Sequence, residues 1–319
     1  MNWEGKKVLV AGGTGLVGTN LIKRLLPTKA KIWATYHNRK PQFIDNRIQY
    51  VYAELTDTHV CRLAVDGMDY VFMCAVAKGG AAVMAKDPLP LFTPNILMYT
   101  HLIEAAYRAG VKKFLFLGSS TAYPESGEHL VKEDEMFNGD PWDKYFLIGW
   151  HKRFGEKLCQ IFSQKVKDPM PCVVLRPTNI YGPDDDFHFE TSHVTPALIR
   201  RAVERQDPFT VWGDGSEVRD LIYVGDLIDA MLLAMEKVDG YDPVNTGLGK
   251  GYSVKEIMAT IFDIEDFHPK VVFDTFKPTM IPKRLVDISK AERLLGWKPK
   301  TDLREGLEKT INWYKENRL

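Results

Sequence analysis

The stretch Lys7-Val8-Leu9-Val10-Ala11-Gly12-Gly13-Thr14-Gly15-Leu16-Val17-Gly18 decides the fold. A short apolar, β-rich run enters a glycine turn. A pattern of helical period then runs from Leu16 to Leu26, and Pro27 ends it. Gly12, Gly15 and Gly18 make a GxxGxxG string that encloses Thr14, Leu16 and Val17. Glycines at this spacing permit a tight turn, close approach of backbone to a pyrophosphate, and close packing of helix on strand. The helix N-terminus adds oriented N–H groups that suit phosphate oxygens. Position gives the string its weight: it lies near the N-terminus, after a strand and before a helix. These residues are expected to cradle a dinucleotide.

Reading outward, Lys31–Tyr36, Ile48–Ala53, Tyr70–Ala75, Lys113–Gly118 and Cys172–Arg176 are further strand signals, with long helices over about 93–110 and 145–164. Strands apolar on both faces and separated by helices predict a parallel sheet covered on both sides. The expected class is α/β, a Rossmann-type doubly wound parallel sheet. Residues 1–176 read as the NADP(H)-binding Rossmann domain. Residues 177–319 read as a smaller C-terminal α/β substrate-binding portion, with segments such as Asp242–Thr246 returning to the main sheet. The second strand ends Thr35-Tyr36-His37-Asn38-Arg39-Lys40. It has no acid for ribose hydroxyls, and two cations follow, so Arg39 and Lys40 predict NADP(H) in preference to NAD(H).

Composition removes other classes. The 319 residues carry 42 Lys plus Arg against 42 Asp plus Glu. That zero balance lacks the electrostatic footprint of a nucleic-acid or anionic-membrane binder. The cysteines Cys61, Cys74, Cys159 and Cys172 form no CxxC pair and read as buried thiols of a reducing compartment. The apolar run Val71–Ala77 stops at Lys78, far short of a membrane span. A polar start leads directly into a strand. The expectation is a cytoplasmic protein of small molecules.

Five further segments complete the pattern: Ala75-Val76-Ala77-Lys78-Gly79-Gly80, Leu117-Gly118-Ser119-Ser120-Thr121-Ala122-Tyr123-Pro124, Arg176-Pro177-Thr178-Asn179-Ile180-Tyr181-Gly182-Pro183, Ser192–Arg201, and Trp212-Gly213-Asp214-Gly215. With them the chain resembles, over nearly its whole length, the extended short-chain dehydrogenase/reductases (the NAD-dependent epimerase/dehydratase family). Within that superfamily it is most similar to the GDP-L-fucose synthases, which are NADPH-dependent epimerase/reductases of GDP-4-keto-6-deoxy-mannose. The resemblance implies a homodimer and a nucleoside-diphosphate sugar, GDP-linked, as substrate. It also places Ala75 and Ala77 beside the cofactor. An NDP-sugar epimerase or dehydratase, and a catalytically silent relative acting as sensor or partner subunit, are the alternatives.

The family's catalytic set is a Ser, a Tyr and a Lys. The tyrosine exchanges a proton with the sugar oxygen, and the lysine lowers the tyrosine pKa and binds the nicotinamide ribose. By resemblance Ser119 is the serine and Lys152 the lysine. The tyrosine would stand four residues earlier, on the same helical face, and Ile148 occupies that place. Tyr145 shares roughly that face but lies about 10 Å from Lys152 along a helix rising 1.5 Å per residue. His151 points elsewhere. The family's catalytic histidine matches His193, while its cysteine position holds Thr121, a poor carbon base. The resemblance further assigns the substrate to Asn179, Val194, Arg201, Trp212, Arg219, Lys283 and Arg284, with Arg219 on the diphosphate. Asp184, Asp185 and Asp186 read as a solvated loop, and no metal is expected.

Overall fold

The computed structural model describes residues 1–79, 87, 89–189, 191–277 and 281–318. The elements in chain order are β1 (Lys7–Ala11), α1 (Leu16–Leu25), β2 (Lys31–Tyr36), β3 (Ile48–Tyr52), α2 (Thr58–Val65), β4 (Tyr70–Met73), α3 (Leu89–Arg108), β5 (Lys113–Leu117), β6 (Leu130–Val131), α4 (Phe146–Gln164), β7 (Cys172–Pro177) and β8 (Asn179–Tyr181). They continue with α5 (Val194–Val203), β9 (Phe209–Trp212), β10 (Val218–Tyr223), α6 (Val224–Lys237), β11 (Val244–Thr246), β12 (Gly251–Ser253), α7 (Val254–Glu265), β13 (Val271–Asp274), β14 (Leu285–Val286), α8 (Ser289–Leu295) and α9 (Leu303–Arg318).

Seven strands form one sheet in the order β11-β7-β5-β4-β1-β2-β3, and every pairing in it is parallel. Because side chains alternate along a strand, the inner strands feed two cores. Val8, Val10, Phe72, Leu115 and Val173 pack with Leu21 and Ile22 of α1 and Leu227 and Met231 of α6. Leu9, Ala11, Val71, Phe114 and Val174 pack on the other face, with Cys61 of α2, Leu102 and Ile103 of α3 and Cys159 of α4. This two-sided burial is why the strands read as unbroken apolar runs. A third core joins α5, α7 and α9 to β9 and β10 through Ile199, Ile257, Leu307, Phe209 and Leu221.

Two elements differ from the sequence reading. Helix α2 stands where the sequence analysis predicts no helix. Its start is marked by Asp57, whose carboxylate accepts from the N–H of His59 (2.6 Å) and Val60 (3.2 Å). Helix α3 starts at Leu89, about one turn before the expected 93, and carries Pro94 inside it. Gly80 of the segment Ala75–Gly80 lies outside the described residues.

Candidate active site

The glycine turn has the form its residues require. Gly12 sits at φ +78, and a side chain there would meet Ala75 Cα at 2.6 Å. A Cβ on Gly18 would overlap the Gly12 carbonyl, so the helix seats directly on the turn. Thr35 at the end of β2 holds the turn from below. Its carbonyl accepts from Gly13 N (2.8 Å) and its hydroxyl from Gly12 N (3.0 Å). At Gly15 the direction of a Cβ is open apart from the Gly12 carbonyl at 3.6 Å. No side chain caps α1, and its first turn holds no acid. An uncapped helix N-terminus facing open space fits a pyrophosphate. Leu16 and Val17 press their side chains against the core, while Thr14 stands at the rim.

Lys152, Ser119 and Thr121 lie at the C-terminal ends of β4 and β5, where parallel sheets keep their ligand crevice, and His193 stands apart from them at the start of α5. Lys152 of α4 donates to the Leu117 carbonyl (2.8 Å), with its ammonium over the rings of Tyr99 (5.4 Å) and Phe116 (5.3 Å). Gly155, one turn on, lets α4 approach this closely, since a side chain there would strike Phe116 and Tyr99. Burial lowers the Lys152 pKa to about 8, partly opposed by neighbouring Cys74. Burial pushes the Cys74 thiol up to about 12, so it remains a neutral thiol. Ser119 Oγ and Thr121 Oγ1 lie 2.8 Å apart, and Ser119 Oγ also accepts from Thr121 N (3.1 Å).

Ile148 is half-buried and lines a cavity of about 170 Å³ with Leu91, Phe92, Leu147 and His151. His151 is buried beside the Tyr99 hydroxyl (3.4 Å), and burial drops its pKa to about 3. That ring is neutral at ordinary pH. Tyr145 flanks the start of α4, where the charges of Arg219 and Arg284 act on it. Burial raises its pKa, and the two arginines oppose that rise. Among the described residues its hydroxyl has no hydrogen-bond partner, so it is available to a ligand.

His193 flanks the start of α5, exposed, with Val194 opening the helix. Surrounding protein and then Lys78 lower its pKa, and Asp186 opposes them. Arg219 donates to the carbonyls of Ile281 (2.7 Å) and Val218 (3.1 Å). Trp212 is exposed with Lys277 over its ring, and Asn179 donates to the Asp220 carbonyl (2.9 Å). Arg201 donates to the Thr210 carbonyl (2.6 Å), and Lys283 pairs with Glu128. Arg284 has work the sequence did not disclose. Its buried guanidinium donates to the carbonyls of Ser120 (3.0 Å) and Pro124 (2.8 Å). It therefore clamps the loop that carries Ser119 and Thr121. At the end of β2, Arg39 is half-buried and Lys40 exposed.

The acidic triplet corrects the reading as a solvated loop. Asp184 and Asp185 are buried. Asp184, at φ +68, pairs with Lys23 (2.7 Å); Asp186 pairs with Lys78 (3.1 Å) and accepts from Thr191 (2.8 Å). The loop is thereby tied to α1 and to the segment after β4. Burial pushes Asp185 up to about 7. No cluster of metal-ligating side chains occurs among the described residues.

Sequence reasoning also missed Asn95. It is fully buried in α3; its Oδ1 accepts from Ala77 N (3.0 Å) and its Nδ2 donates to Ala77 O (2.9 Å). This pair of bonds fixes the segment beside the cradle where Ala75 and Ala77 lie. A polar residue in the buried series Leu91, Asn95, Met98, Leu102 was the available signal.

The uncapped helix on its glycine turn after β1, and the side chains at the C-terminal ends of the parallel strands, define a dinucleotide-binding protein of Rossmann type. Residues 8–247 match the NAD dependent epimerase/dehydratase family, and the chain belongs to that family of NAD(P)-dependent enzymes. It is 34% identical over 325 residues to a probable GDP-L-fucose synthase 1 of Oryza sativa subsp. japonica, covering 98% of this chain and 93% of that one. It is 30% identical over 328 residues to the GDP-L-fucose synthase of Escherichia coli K12, covering 98% and 97%. Among solved structures, the UDP-glucose 4-epimerase of Thermotoga maritima with UDP-glucose gives a TM-score of 0.87 at 27% identity, covering 97% of this chain and 98% of that one.

Proposed function

We propose that the protein is a NADP(H)-dependent epimerase/reductase acting on a GDP-linked 4-keto sugar, with proton transfer altered by Ile148. The observation that carries this reading is the convergence of Lys152, Cys74 and the Ser119–Thr121 pair beside the glycine cradle. Near-full-length similarity to GDP-L-fucose synthases supports the GDP-sugar. Arg39 and Lys40, with no acid at the end of β2, support NADP(H).

Bound at the cradle, the nicotinamide cofactor supplies or accepts the hydride. The chain's own groups handle everything else. Lys152, still mostly protonated at neutral pH, presents a cation to ribose and sugar oxygens from an apolar seat where its field is little screened. Ser119 holds the sugar oxygen, and Thr121 orients the Ser119 hydroxyl. Ile148 offers neither proton nor hydrogen bond, so the proton at that oxygen comes from solvent through the hydroxyl pair. His193, its pKa lowered, is neutral and serves as base at the carbon next to the ketone. Thr121 does not replace the second base, which favours epimerisation at one carbon. Arg219, together with Trp212, Asn179, Val194, Arg201 and Lys283, receives the nucleoside diphosphate. Residues 177–319 form the sugar-nucleotide portion and residues 1–176 the cofactor domain.

A cytoplasmic homodimer is part of this reading. Phe146, Trp150, Phe154 and Ile161 of α4 and Leu97 of α3 are exposed large apolar side chains on adjacent helices, a surface suited to a second copy. The second reading, binding without turnover, is favoured by Ile148 alone. Incubation with NADPH and GDP-4-keto-6-deoxy-mannose separates the two. Product resolved by NMR supports the enzyme. Tight binding of both ligands with no product supports the silent relative.

A further inference from the structure

The end of β2 meets the last helix of the chain. Gln42 Oε1 accepts from Arg39 Nη2 (3.3 Å) and from Arg318 Nη2 (2.7 Å). Arg318 is the final residue of α9, 276 positions away in sequence, and its guanidinium lies against the Trp313 ring (5.7 Å). Two cations thus share one neutral oxygen. Among the described residues neither guanidinium has a carboxylate within ion-pair distance. Arg39 does feel Asp184, Asp185 and Asp186 at longer range, but Asp184 and Asp186 are engaged by Lys23 and Lys78. Arg318 repels the Arg39 charge. Two like charges brought together around a neutral spacer leave an anion's place between them, and planar guanidinium forks match phosphate oxygens in pairs.

We propose that Arg318 and Arg39 together clamp the phosphomonoester on the adenosine ribose of a 2′-phosphorylated dinucleotide, with Gln42 spacing the two forks. This rests on the NADP(H) reading and adds a residue from the opposite end of the chain. It makes Arg318 a specificity-determining residue, and it makes the cofactor phosphate a tie between the dinucleotide half and α9.

Equilibrium titration of the full chain with NADPH, NADH, 2′,5′-ADP and 5′-AMP tests it without turnover. Arg318→Ala weakens NADPH and 2′,5′-ADP about tenfold, the loss of one charge-assisted contact. It leaves NADH and 5′-AMP unchanged, which also shows that the variant is folded. Arg318→Lys restores part of the loss. If Arg39→Ala weakens NADPH and Arg318→Ala does not, the clamp is wrong and the NADP(H) reading stands. If the unaltered protein binds NADH as tightly as NADPH and neither arginine matters, both fall.

Discussion

At the scale of single residues, the site depends on where charge and protons reside. The segment that follows Lys152 singles it out in the sequence, but its seat between Tyr99 and Phe116 was not legible, because those rings come from α3 and β5. Nor was the setting of Tyr145, because Arg219 and Arg284, whose charges act on it, are far away in the chain. Burial has moved the Lys152 pKa below its ordinary value, so the folded protein sheds this proton more readily than the unfolded chain does. The cost of burying the charge is therefore full below pH 8 and shrinks as pH rises towards the ordinary lysine value. Lys152→Met should raise the melting temperature of the ligand-free protein at pH 7 while abolishing activity. Loss of the ammonium above about pH 8 should weaken cofactor affinity, by up to about tenfold per pH unit. Fluorescence titration from pH 7 to 9 reads that slope, and Lys152→Gln should be flat. Tyr145→Phe should raise the dissociation constant for the GDP-sugar several-fold and leave that for NADPH unchanged, as read by calorimetry.

At the scale of elements, α4 is held by a buried pair that the sequence did not reveal. Glu156, one turn beyond Lys152 on the same face, pairs with Arg176 of β7, and both are 2% exposed. Arg176 also donates to the Tyr123 hydroxyl (2.8 Å), which donates to Asn245 of β11 (2.6 Å). Tyr241 donates to Glu156 as well (2.8 Å). The network locks the helix that carries Lys152 to the sheet. Removing one partner of such a pair strands a buried charge, so Glu156→Ala should cost about 3–5 kcal/mol in urea unfolding. Strands and long helices were legible because apolar period survives in local sequence. The loop clamp by Arg284 was not, because its acceptors are backbone carbonyls and leave no trace in residue type.

At the scale of the whole molecule, the doubly wound sheet could be read from the glycine turn and five apolar runs, and the return of β11 to the sheet from Asp242–Thr246. What joins the C-terminal portion to the cradle could not. Its acidic loop reads as solvated until Lys23 and Lys78 are seen to reach it. Asp185, buried with its pKa near 7, binds a proton in the folded protein that the unfolded chain releases near pH 4. Its contribution to stability therefore falls as pH rises from about 4 to 7 and is level above. Melting curves across pH 5 to 8 should show a smaller decline in Asp185→Asn than in the unaltered protein. Sedimentation should find a dimer that Trp150→Asp shifts to monomer. The central claim, that a GDP-sugar reductase site runs here without its usual phenol, is met most directly by stopped-flow oxidation of NADPH on mixing with GDP-4-keto-6-deoxy-mannose. Oxidation should be slow with the unaltered protein and about 10²–10⁴-fold faster with Ile148→Tyr. No oxidation by either protein, with no binding of the GDP-sugar, would contradict it.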